Sequence, residues 1–172
     1  GMDAAVIDNV LNGREGVSIA NYNCPGQIVI TGEAAAVAEA GTALKEAGAR
    51  RVLPLKVSGP FHSPMMRPAG EELAKVFAGV SMNPLKIPYV ANINAEVITD
   101  CGRIEGLLVE QVSGSVRWQQ SVETMIREGV DTFVEIGPGK TLTGFLRKID
   151  KNVKAYHIGS WEEAVQVCEE LK

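Results

Sequence analysis

VSIANYNCPGQIVITG, residues 17–32, decides how the first third of the chain folds. Val17–Tyr22 and Gln27–Thr31 are short apolar runs rich in β-branched residues, and both read as strands. Between them Asn23-Cys24-Pro25-Gly26 is a turn signal, because proline presets φ and glycine tolerates positive φ. Upstream, Asp3 can cap a helix with Val6, Ile7, Val10 and Leu11 on its apolar positions, ending at Gly13. Downstream, Thr31 and Gly32 open an alanine-rich helix that closes near Gly48, and Arg51–Val57 alternates as a third strand.

Residues 1–57 therefore run helix, strand, strand, helix, strand. That is a ferredoxin-like β-α-β-β-α-β unit with its first strand missing, and it predicts an open position in the sheet. The chain reads as starting part-way into a fold. From residue 58 the pattern changes, and 58–172 forms a second unit. Pro64 starts a helix with Met66, Gly70, Leu73 and Phe77 on one face. Ile87–Ile93 reads as a strand, Ile104–Val112 as a helix, and Val116 to about Glu128 as another with Trp118, Val122, Met125 and Ile126 inward. Thr132–Ile136 is a strand, Gly137-Pro138-Gly139 turns into a helix ending near Ile149, and a strand at Ala155–Ile158 precedes a last helix from Ser160. The fold class is α/β.

The bulk numbers fit a soluble globular chain. Of 172 residues 45% are hydrophobic and 22% charged, and the net charge is −4. That balance offers no general attraction for nucleic acid or an anionic membrane. Cys24, Cys101 and Cys168 are odd in number and widely spaced, which argues against a disulfide framework or a zinc site and fits a reducing cytoplasm. No apolar run is long enough to span a membrane, and GMDAAVIDNVLNG at the start reads as an amphipathic helix rather than a signal peptide.

Candidate chemistry centres on VSGPFHSPMM, residues 57–66, which holds one of the two histidines. Pro60 and Pro64 restrict the backbone on both sides of His62, as a general base requires. A structural histidine at a domain junction is the other reading. The G-x-S-x-G elbow of serine hydrolases is absent; Gly16-Val17-Ser18-Ile19-Ala20 lies within a strand instead. Cys24 reads as a turn residue with nothing local to activate it. GPGKT, residues 137–141, imitates the end of a phosphate loop, but Val134 stands where the first glycine should be. A tight turn into a capped helix is the simpler reading, though a helix N-terminus can attract an anion. Arg50 and Arg51, with Lys56 beyond, either complement a helix dipole or form a docking patch for an acidic partner. His157 reads as structural, and Asn21 and Asn23 as supports of the nearby turn.

Taken in order, NYNCPGQIVITG, VSGPFHSPMM and SVRWQQSVETMIREGVDTFVEIGPGKTLTGFL resemble the malonyl-CoA:acyl carrier protein transacylase family over essentially the whole chain. The resemblance implies an α/β-hydrolase-like acyltransferase core, of which 58–172 is the C-terminal part, carrying a ferredoxin-like small subdomain. It implies transfer of malonyl from coenzyme A to the phosphopantetheine thiol of acyl carrier protein through a serine–histidine dyad, with no cofactor of the enzyme's own. His62 matches the catalytic histidine, and Gln111, in VEQVSGSVRW, the glutamine whose backbone carbonyl orients it. Phe61 matches a position associated with malonyl selection, where a phenyl ring leaves little room for a branched α-carbon. Arg50, Arg51 and Lys56 fall where the family is thought to face acidic carrier protein.

The family's nucleophile elbow, oxyanion-hole glutamine and malonate-binding arginine have no counterpart in this sequence. The resemblance thus marks the chain as a C-terminal fragment, expected to be inactive alone and to be completed by an N-terminal half or by self-association. A non-catalytic module that docks acyl carrier protein or pairs with another subunit is the alternative expectation.

Overall fold

A computed structural model describes all 172 residues. Helix α1 (Ala4–Leu11) starts where Asp3 accepts a hydrogen bond from the Ala5 amide at 2.9 Å. Strands β1 (Val17–Cys24) and β2 (Gln27–Gly32) form an antiparallel hairpin, and α2 (Ala34–Glu46) follows. The α2 helix starts two residues after Gly32, because Thr31 and Gly32 are still paired with β1. Ile7 and Leu11 of α1, Ile19 of β1, and Ala40 and Leu44 of α2 bury one another as a first core.

Arg51–Val57, expected as a third strand, forms no ladder. No strand of the chain lies beside it, and its one backbone hydrogen bond is local, from the Val57 amide to the Leu55 carbonyl. Val52 alone packs on the first core. Leu53, Leu55 and Val57 are 64%, 60% and 64% exposed, a high exposure for three apolar side chains at alternate positions.

Beyond it, a 3₁₀ turn (Pro64–Met66) leads into α3 (Arg67–Phe77), which packs on α4 (Ile104–Ser113). Gly70 makes that approach close: a Cβ there would stand 3.1 Å from the Val109 carbonyl oxygen. The expected strand Ile87–Ile93 shrinks to β3 (Tyr89–Val90), paired antiparallel with an unexpected β4 (Val97–Ile98). Pro88 has no N–H to extend the ladder, and the chain turns back at Ala91–Ala95. Ala91, Ile98 and Leu107 form a second core.

Helix α5 (Trp118–Arg127) buries Ser121, Val122 and Thr124. Strands β5 (Thr132–Ile136) and β6 (Lys154–Ile158) pair in parallel around α6 (Thr141–Ile149), and α7 (Trp161–Glu170) is capped by Ser160. The sheet ends at β5, whose Ile136 is 78% exposed. The segment before α5 ties the two cores together. Val116 donates to Ala20 and accepts from Tyr22, at 2.7 and 2.8 Å, and the Ser115 hydroxyl donates to the Ile19 carbonyl at 2.6 Å.

Candidate active site

His62 lies in the four-residue turn Pro60–Ser63, with φ of +59°. A non-glycine residue in that region costs about 1–3 kcal/mol, and such strain persists only where neighbours hold it. The half-buried ring places Nδ1 3.0 Å from the main-chain oxygen of Gln111. Gln111 lies in the last turn of α4, where carbonyls lack a helical partner, and its oxygen takes no backbone amide. The helix dipole gathers partial negative charge at the same end. A carbonyl only accepts, so it selects the tautomer with the proton on Nδ1 and leaves Nε2 as a free acceptor.

Ser63, at 1% exposure, fastens the turn: its Oγ donates to the Pro60 carbonyl at 2.7 Å and accepts from the Met65 amide at 3.3 Å. The sequence reading passed over this serine, although serine before Pro64 at a helix start is a capping signal. Phe61 is half exposed beside His62. Arg50, Arg51 and Lys56 are exposed and form no ion pair, and no hydrogen bond links them to the His62 turn. The stem of Arg50 runs past Gly1.

The other candidates take structural places. Ser18 lies inside β1. Cys24 is buried; burial pushes its thiol up, against a smaller opposing pull from Lys148. His157 brings Nε2 to 2.9 Å from the Gly137 carbonyl, with Nδ1 3.4 Å from Glu163. At the GPGKT loop the α6 N-terminus is already occupied. Glu135 accepts from the amides of Leu142 and Thr143 at 3.1 and 2.7 Å, and from the Thr143 hydroxyl at 2.6 Å. Two open hollows of about 510 and 470 Å³ are lined by other residues, and His62 borders neither. No cluster of three or more His, Cys, Asp or Glu side chains is placed to hold a metal ion.

Comparison with known proteins covers the full chain. The family described as "Acyl transferase domain" matches residues 1–167. The malonyl CoA-acyl carrier protein transacylase of Bacillus subtilis (strain 168) is 42% identical over 176 residues, covering 100% of this chain and 56% of that protein. That of Staphylococcus aureus (strain COL) is 42% identical over 144 residues, covering 84% of this chain and 47% of its own length. Among solved structures, the Streptococcus pneumoniae MCAT superposes with a TM-score of 0.93 at 40% identity, over 99% of this chain and 56% of its own. A malonyl-transacylase solved with a type II PKS acyl-carrier protein gives 0.93 at 37% identity, with the same two coverages. The chain spans about half the length of these relatives. With its sequence and its backbone matched from end to end, the chain belongs to the acyl transferase domain family.

Proposed function

We propose that this chain is the C-terminal portion of a malonyl-CoA:acyl carrier protein transacylase and supplies its general base. The observation that carries the reading is the 3.0 Å approach of His62 Nδ1 to the Gln111 carbonyl. It orients a neutral imidazole without a carboxylate and leaves Nε2 open. The nucleophilic serine comes from the complementary portion. Nε2 takes the serine proton as the serine oxygen attacks the malonyl thioester carbonyl. The carbon–sulfur bond breaks, and coenzyme A leaves as a thiol with that proton. The phosphopantetheine thiol of acyl carrier protein then gives its proton to Nε2 and attacks the seryl ester, and the serine oxygen leaves reprotonated.

In this reading residues 1–57 are the ferredoxin-like small subdomain and 58–172 the C-terminal part of the α/β-hydrolase-like core. Their separate apolar cores support the division. The missing first strand would lie beside Arg51–Val57, which explains the bare alternating leucines there. Phe61 borders the acyl pocket and disfavours a branched α-carbon. Arg50, Arg51 and Lys56, free of internal ion pairs, meet the acidic carrier protein. No resident cofactor takes part, and the setting is cytoplasmic.

The test mixes this chain with the part of the Bacillus subtilis relative outside the matched 56%, and follows malonyl transfer to acyl carrier protein. Neither part alone turns over, and the mixture does. His62→Ala in the mixture lowers the rate by about 10²–10⁴. An equally active His62→Ala mixture overturns the reading.

A further inference from the structure

We infer that Ser63 is a positioning residue, which acts through His62 by holding the ring in the tautomer a base requires. The inference rests on the base reading above and adds to it the residue that makes the histidine usable.

Several observations converge on it. His62 sits at φ +59° and, left alone, would relax toward negative φ. That relaxation swings the Cα–Cβ bond, so Nδ1 would leave its place 3.0 Å from Gln111. Something local has to hold the turn. Pro60 and Pro64 limit φ at their own positions, but neither ring can form a hydrogen bond across the turn. The Ser63 hydroxyl does. It reaches back to the Pro60 carbonyl at 2.7 Å and forward to the Met65 amide at 3.3 Å, closing the backbone on both sides of the histidine. The Ser63 carbonyl accepts from the Met66 amide at 2.9 Å, which joins the same turn to the start of α3. At 1% exposure the Ser63 side chain is closed off from solvent, so its loss leaves the part-buried Pro60 carbonyl and Met65 amide without their side-chain partner. No other side chain bonds to the turn backbone between Pro60 and Ser63.

The chain holds only His62 and His157, so ring nitrogen NMR reads each imidazole separately. Ring ¹⁵N shifts of the 172-residue chain and of Ser63→Ala are compared above the titration of both rings. His62 in the parent carries its proton on Nδ1. In Ser63→Ala its Nε2–H population rises by about fivefold or more, the factor carried by one hydrogen bond of ordinary net strength. The His157 signals stay in place, which a general loss of folding would not allow. An unchanged His62 spectrum in a folded Ser63→Ala chain overturns the inference and leaves the base reading standing. A parent His62 that carries its proton on Nε2 overturns the base reading itself. If Ser63→Ala does not fold, Ser63→Cys, similar in size and a weaker donor, is judged by the same two outcomes.

Discussion

A carboxylate at residue 135 decides what the Gly137-Pro138-Gly139 loop can bind. The loop turns a strand into a helix, and helix starts attract anions. Glu135 is already that anion, covalently supplied one loop earlier. Burial alone would raise its pKa. Hydrogen bonds from the Thr143 hydroxyl and amide and from the Leu142 amide outweigh burial and hold it below the usual glutamate range. A lowered folded-state value means that its stabilisation is complete above the ordinary glutamate pKa and is lost as pH falls through the folded value. Glu135→Gln therefore lowers stability at neutral pH, by about 1 kcal/mol or less because solvent screens this partly exposed carboxylate, and flattens the loss in acid, measured as urea midpoints at pH 7 and pH 3. Legibility at this scale was uneven. His62 and Gln111 could be named because their flanking residues resemble a family pattern. The left-handed backbone of His62 was not legible, because such a φ is announced by glycine and rarely by histidine. Glu135 was missed because a cap normally lies next to its helix, whereas this one reaches across a loop.

Two glycines in neighbouring helices separate packing from propensity. Gly70 faces α4 so closely that a methyl group would press on the Val109 carbonyl, whereas a Cβ at Gly106 on α4 meets nothing within 4 Å. Gly70→Ala should destabilise by about 1–3 kcal/mol. Gly106→Ala should stabilise by about 0.5–1 kcal/mol through helix propensity. Chemical denaturation of both variants checks the opposite signs, and equal signs would show that the α3–α4 approach is looser than described. The helices were the legible elements, since each carries its own period, and α1 and α7 their side-chain caps as well. Strands were less so, because a strand is completed by its partner. Arg51–Val57 has the alternation of a strand and no neighbour to pair with, and Pro88 cuts the 87–93 run to a two-residue strand that pairs with an unforeseen one.

Over the whole molecule, area is the telling quantity. A compact protein of 18.4 kDa presents about 8,200 Å² to solvent. This chain presents 11089 Å², an excess of about 2,900 Å². The excess lies in the range of an obligate interface, and it includes the bare edges at Leu53–Val57 and Ile136. On its own the chain should self-associate at micromolar concentration, seen by sedimentation velocity as species heavier than 18.4 kDa. Replacing Leu53 and Val57 with lysine should weaken that association by at least about tenfold, because each removes an apolar side chain from the joint and places a charge on its edge. A parent chain that sediments only as a monomer would show that these edges satisfy themselves.

Val116 lies between the hairpin and the histidine's acceptor, hydrogen-bonded to β1 on one side and five residues from Gln111 along the backbone on the other. The hairpin and the His62 ring therefore share a short mechanical linkage. A load on the hairpin reaches the carbonyl that holds the ring through residues 112–115, which include the helix-ending Gly114. Whatever presses on the hairpin also leans on His62.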